Sequence, residues 1–168
     1  MTHALNLDRP ARSAPYQRLA ALGLSLPPLP RPVATYVTHV QEGSLLFLSG
    51  QGPRDHDGQL RTGKVGAQRT VAQAYDDARL TGLNLLAVLD AALGDLSRVR
   101  RIVKVLGMVN GVPDFGDHPK VIDGCSDLMV AVFGEAGRHA RSSVGMGSLP
   151  DNISVEIEMI VALADQPD

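Results

Sequence analysis

Apolar residues recur along this chain at two different periods, and the changes of period mark its elements. From Thr70 to Leu93 they fall at Ala74, Ala78, Leu85, Val88, Leu89 and Ala92. This is the i, i+3/i+4, i+7 spacing of a stripe on one helix face, and Gly94 follows as its stop. A second helix is predicted over Pro119–Phe133, with Val121, Ile122, Leu128, Val132 and Phe133 as its apolar contacts and "GEAGRH" as its break. A short helix is predicted at Pro15–Leu22, with Leu19 and Leu22 on one face and Gly23 ending it. Strand signals occupy the rest. Ala34–Val40 and Leu45–Ser49 read as two strands joined by a turn at Glu42–Gly43, and Val99–Gly111 as a strand rich in β-branched residues. The stretch from His139 to Leu163, "HARSSVGMGSLPDNISVEIEMIVAL", reads as two strands around the turn "GSLPDN". Residues 1–13 read as loosely ordered, Ser25–Pro32 as a Pro-rich extended connector, and Arg54–Gly66 as a polar loop long enough to suggest a function.

The order β-β-α-β-α-β-β predicts an α+β fold, with two helices packed on one face of a mainly antiparallel sheet. A length of 168 residues suggests one folded domain. Residues 1–32 then form an N-terminal extension, with its short helix and Pro-rich connector, ahead of a domain over 33–165.

The last two strands read as a hairpin, and matching their apolar positions places Val144 opposite Val155, Ser142 opposite Ile157, Ser143 opposite Glu156 and Arg141 opposite Glu158. Side chains alternate faces along a strand, so Arg141, Ser143, Glu156 and Glu158 would share one face. Val144, Val155, Ile157 and Met159 would take the core face. Two readings of the polar cluster stand side by side. It could be cross-strand ion pairs on a wet face, worth ~0.2–1 kcal/mol each. It could instead be a carboxylate-recognition site, in which Arg141 grips bidentately and a partly desolvated Glu holds and activates water.

Composition narrows the function classes. With 44% hydrophobic and 20% charged residues the balance is that of a soluble globule, and a net charge of −2 gives nucleic acid no strong electrostatic attraction. Cys125 is the sole cysteine, which excludes an intrachain disulfide and fits a reducing compartment. The first 26 residues lack a continuous apolar core of the signal-peptide kind, and no apolar run approaches the ~20 residues of a membrane span. A cytoplasmic protein is expected. His39, His56, His118 and His139 have no ligand-like spacing, so no metal is expected. "GKVGAQRT" lacks the pattern of a P-loop. The basic run "RVRRIVK" has no interleaved aromatics to stack bases, and reads as a solvated strand face or a subunit contact.

Over about Thr35–Leu163 the chain resembles the RidA superfamily, also called YjgF/YER057c/UK114 and once labelled L-PSP endoribonucleases. The resemblance is carried by "TYVTHV" leading to "LFLSGQGP", by "NLLAVLDAALGDLSRVRRIVKV", "PDFGDHPKV" and "ARSSV", and by "LPDNISVEIEMI". The extra N-terminal segment and the "GRHARS" context look like a less characterised branch. The resemblance implies a chorismate-mutase-like, YjgF-type fold and a homotrimer with ligand clefts between subunits. It also implies hydrolytic deamination of reactive enamine/imine intermediates, 2-aminoacrylate-like 2-imino acids, to 2-keto acids and ammonia, without cofactor or metal. By the same resemblance Arg141 binds the substrate carboxylate and Glu156 activates water. Gly50 and Tyr36 line the substrate site, and Ser143 stands where the family often has Cys. The family commonly carries Asn and aromatics in the second helix. This chain has Asp123, Ser126 and Asp127 there, with Phe133 the aromatic of that stretch. Two other functions stand beside it: non-catalytic binding of a small carboxylate metabolite in the same inter-subunit cleft, which needs Arg141 alone, and an endoribonuclease, which needs a basic cleft that a net charge of −2 disfavours.

Overall fold

In the computed structural model the described residues are 13–29 and 35–164. The expectations for residues 1–12, for the end of the Pro-rich connector at 30–32 and for the start of the first strand at Ala34 lie outside them. The element order is α1 (Ala14–Ala21), β1 (His39–Glu42), β2 (Leu45–Gln51), α2 (Val71–Leu93), β3 (Val99–Val109), α3 (His118–Phe133), β4 (Ala140–Gly145) and β5 (Val155–Leu163). This is an α+β fold, a mainly antiparallel five-stranded sheet with α2 and α3 packed on one face.

The helices begin and end where local chemistry dictates. Thr70 caps α2 through a box in which its side chain accepts from the Gln73 backbone N–H and the Gln73 side chain accepts from the Thr70 backbone N–H, and Gly94 closes the helix in a left-handed turn. Pro119 occupies the first turn of α3, where its missing N–H costs nothing. Ala74, Ala78, Leu85, Val88 and Leu89 of α2 are buried as their spacing requires, and Ala92 is partly buried against them. In α1, Leu19 enters the core, but Leu22 lies just past the helix and is exposed.

The sheet order is β1-β2-β5-β3-β4, and it overturns the expected terminal hairpin. β4 pairs with β3 in parallel, Val105 against Arg141 and Gly107 against Ser143. β5 pairs antiparallel with β3 on its other edge and with β2. A parallel neighbour is reached through a helical crossover, and β3-α3-β4 is one. The segment from Met146 to Ser154 then carries the chain past β3, so that β5 fills the centre. Burial reflects this: six of the nine residues of β5 are buried, whereas every residue of β4 is exposed or intermediate, as on an edge strand.

The core lies between the sheet and helices α2 and α3, with Ile102, Val105, Val109, Val155, Ile157, Met159 and Val161 pointing into it. Among the described residues no helix covers the opposite, open face of the sheet. The polar loop after β2 is pinned at two points. Lys64 Nζ donates to Asn110 Oδ1 (2.7 Å) and to the carbonyls of Gly147 (3.0 Å) and Gly111 (3.3 Å). Arg69 forks onto the buried carboxylate of Asp77, which also accepts from Ser154 Oγ at 2.7 Å.

Candidate active site

The paired registers decide which site residues meet. Arg141 lies in one row with Val105 and Met159, both buried under the helices, so Arg141 and Ser143 belong to the helix face. Glu156 lies in one row with Met108 and Val144, and Glu158 with Leu106 and Ser142, all on the open face. The expected sharing of one face by Arg141, Ser143, Glu156 and Glu158 is therefore corrected: the two glutamates share a face, and Arg141 and Ser143 have the other. Val155, Ile157 and Met159 point to the core as expected, while Val144 does not and is exposed. The cause is the strand inserted between β4 and β5, which replaces the hairpin register.

On the helix face, Gly107 leaves space that Ile122 of α3 fills; a Cβ there would come within 2.5 Å of Ile122 Cγ1. The helix thereby seats low over β3 and carries Asp123 and Ser126, one turn apart, to the sheet edge. Arg141 NH1 donates to Asp123 Oδ1 (2.8 Å) and to Ser126 Oγ (3.0 Å). Ser126 Oγ lies 3.1 Å from His139 Nε2, and His139 Nδ1 donates to the Gly137 carbonyl at 2.7 Å. Burial pulls the His139 pKa below the ordinary imidazole value, the charges of Arg141 and Lys104 act in the same direction, and the Gly137 carbonyl opposes them. A cleft of about 370 Å³ opens here, lined by Ser126, Asp127, Val130, Arg138, His139 and Arg141. The nearby Ser143 Oγ is buried without a hydrogen-bond partner. Asp123, Ser126 and His139 were not read from the sequence as partners of Arg141. For Asp123 and Ser126 the signal was their polar character within the apolar stretch of α3; His139, between α3 and β4, gave none.

On the open face, Glu156 is half-buried, and its pKa is raised above the ordinary glutamate value, first by burial and then by the charge of Glu158. Its carboxylate rests in the space left by Gly50, where a Cβ would stand only 2.2 Å from Oε1. β2 carries one extra residue at this point: Leu48 pairs with Met159 and Gln51 with Ile157, so Ser49 and Gly50 both oppose Glu158. Such bulges re-aim the chain locally. Tyr36 precedes β1, which starts only at His39, and is half-exposed. It therefore stands ahead of the first strand and not on it. The structure thus brings Gly50 and Glu156 together and holds Arg141 apart from them. Among the described residues no three His, Cys, Asp or Glu side chains converge in a way that could hold a metal.

The profile of the family described as "YjgF/chorismate_mutase-like, putative endoribonuclease" matches residues 16–162. The chain belongs to the YjgF/RidA superfamily. All five expected site residues, Tyr36, Gly50, Arg141, Ser143 and Glu156, fall inside the matched span. Among RidA-superfamily relatives, Protein TCP17 of Trypanosoma cruzi is 42% identical over 146 residues, which is 86% of this chain and 91% of that protein. The 2-iminobutanoate/2-iminopropanoate deaminase of Dermatophagoides farinae is 32% identical over 141 residues, covering 83% of this chain and 94% of the relative. The crystal structure of Atu1372, a protein of unknown function from Agrobacterium tumefaciens, superposes with a TM-score of 0.83 at 46% identity, covering 90% of this chain and 94% of that one.

Proposed function

We propose that this chain hydrolyses reactive 2-imino acids to 2-keto acids and ammonia, in clefts formed where copies of the chain meet. The observation that carries the reading is Glu156: a half-buried carboxylate with raised proton affinity, seated against Gly50 on a sheet face of apolar rows. Membership of the superfamily and the likeness to the D. farinae deaminase support it.

The chemistry follows from the charges. A protonated imine is electrophilic at C2. Glu156 takes a proton from water as the water oxygen bonds to C2, which gives a carbinolamine. Glu156 then returns the proton to nitrogen, and the C–N bond breaks as Glu156 takes the hydroxyl proton; the departing ammonia picks up that proton, so a 2-keto acid and ammonium leave. Arg141 holds the substrate carboxylate and fixes C2 in place. Hydrolysis of this kind needs no covalent enzyme intermediate.

The position of Arg141 shapes the assembly. It lies on the helix face of the edge strand, and Glu156 lies on the open face two strands inward, about 10 Å across the sheet. A three-carbon substrate does not touch both within one chain. The working pair is therefore Arg141 of one subunit and Glu156 of a neighbour. The open face supplies the contact, since Val40, Phe47, Val103 and Val144 are exposed on or beside it, and an uncovered sheet face of this character is buried by assembly. A homotrimer closes such contacts with three equal sites.

The test is complementation. Purified protein is supplied with freshly generated 2-iminopropionate and keto-acid release is followed. The parent is active, while Arg141→Lys and Glu156→Gln are each inactive as homo-oligomers. Co-refolding the two variants restores part of the activity, because mixed oligomers contain sites with both intact residues. An inactive parent that still binds pyruvate through Arg141 would make this a carboxylate-binding protein. Two inactive variants that never complement would place both residues in one subunit's site.

A further inference from the structure

The guanidinium of Arg141 has five N–H hydrogens, and the two on NH1 are already engaged, one by Asp123 and one by Ser126. Nε and NH2 have no partner among the described residues. The partners of NH1 are themselves held in a fixed direction. The Gly137 carbonyl can only accept, so the His139 proton sits on Nδ1. Nε2 of the neutral ring is then an acceptor, and the Ser126 hydroxyl donates to it. This turns the lone pairs of Ser126 Oγ toward Arg141. Asp123 and Ser126 share one face of α3, whose height over the sheet is set by Ile122 above Gly107.

We infer that Asp123, Ser126 and His139 are positioning residues, which hold Arg141 by NH1 so that only its Nε–NH2 edge faces an incoming anion. The inference rests on the reading of Arg141 as the carboxylate grip. That edge is a planar fork of two parallel donors, matched by the two oxygens of a carboxylate. Asp123 also leaves a negative charge beside the fork. This disfavours every anion alike, so an anion must recover the loss through a two-bond fit. The arrangement therefore selects planar carboxylates over tetrahedral anions, and selectivity is a property that a merely structural ion pair would not control. The "DGCS" segment of α3, where the family commonly has Asn and aromatics, is on this reading what fixes the arginine's direction.

The experiment titrates pyruvate and sulfate separately into the full-length protein by calorimetry at one ionic strength, for the parent and four variants. Asp123→Ala is expected to reduce the ratio of pyruvate to sulfate affinity by about tenfold, the scale of one charge-assisted hydrogen bond. Ser126→Ala is expected to reduce it in the same direction. Asp123→Asn keeps an acceptor for NH1, so most of the ratio returns while both anions bind more tightly than to the parent. Melting midpoints shift little, because nearly half of the Asp123 side chain, 46%, is exposed to solvent. Arg141→Lys abolishes pyruvate binding. If Arg141→Lys abolishes binding but Asp123→Ala leaves the ratio unchanged, the positioning role is wrong and the carboxylate grip stands. A rise in both affinities at constant ratio in Asp123→Ala likewise overturns it, since Asp123 would then be only a competing charge. Pyruvate binding unaffected by Arg141→Lys, or absent from the parent, overturns the grip itself.

Discussion

Gly50→Ala puts the proposed base under direct pressure. The new Cβ would stand 2.2 Å from Glu156 Oε1, 3.0 Å from its Cδ and 3.1 Å from its Cγ. Ordinary contact begins at 3.4 Å, so the carboxylate has to retreat by about 1.2 Å. Gly50 is not among the glycines with positive φ, so alanine meets no backbone penalty there. The obstruction is the end of a flexible side chain, which can turn aside. Two stability effects then oppose each other. Alanine reduces the freedom of the unfolded chain, worth ~0.4–1 kcal/mol. Crowding the half-buried glutamate costs ~1–3 kcal/mol. The net loss is ~0–2.6 kcal/mol, a fall in melting temperature of at most about 10 °C for a domain of this size. Catalysis is far more sensitive, because a misplacement of about 1 Å costs about a hundredfold in rate. The variant should therefore fold, assemble as the parent does and bind pyruvate, yet release keto acid from 2-iminopropionate about a hundred times more slowly. Calorimetric melting and a coupled keto-acid assay measure the two effects on one sample. A folded Gly50→Ala with parental turnover would refute the claim that the space at Gly50 places the catalytic carboxylate.

Three further outcomes follow from the same geometry. The Glu156 pKa is raised in the folded state, so its contribution to stability is present below the ordinary glutamate pKa and is lost as pH rises through the folded-state value; urea titrations across pH should show Glu156→Gln gaining on the parent toward neutral pH, while parental turnover rises with pH through a titration above the ordinary glutamate value. Arg69→Ala strands the buried Asp77 carboxylate with Ser154 as its remaining polar side-chain partner, and urea unfolding should register a loss of ~3–5 kcal/mol. Sedimentation should find the parent trimeric at micromolar concentration and Phe47→Asp dissociated, because Phe47 pairs with Val40 and Ile160 in an apolar row of the open face.

Periodicity made the helices legible because both ends of each carry their own chemistry. Thr70 and Gly94 bound α2, and Pro119 opens α3. The β1-β2 turn and β3 were equally local, and they lie within a few residues of their expected limits. What failed was the partner of β5. A hairpin is the nearest solution for two consecutive strands, and pattern matching alone cannot see a third strand slipping between them. The signal was present in composition: "MIVAL" is apolar on both faces, as a central strand must be, and "ARSS" is polar on both, as suits an edge. That one error moved Arg141 and Ser143 to the other side of the sheet. Gly50 beside Glu156 was accessible only through the family resemblance, because the contact joins residues over a hundred positions apart. The hold of α3 on Arg141 depends on how low the helix sits over Gly107, a packing distance that no periodicity encodes.

The placement of β5 also governs how the molecule can be made. The last strand in chain order lies at the middle of the sheet, and Leu45 pairs with Ala162. While a ribosome is still producing residues up to about 154, β1-β2 and β3-β4 are two separate ribbons, each with an unpaired inner edge beside the other. The nascent chain thus spends most of its synthesis with exposed strand edges, the state in which chains pair with the wrong neighbour. Release of the final segment joins the ribbons in one long-range closure, which sets a slow folding step late in the process. Truncation before Val155 would for the same reason leave two ribbons linked through α2 and the Lys64 contacts but without the strand that pairs them, and the sensitivity of this protein to premature termination should be abrupt and not graded.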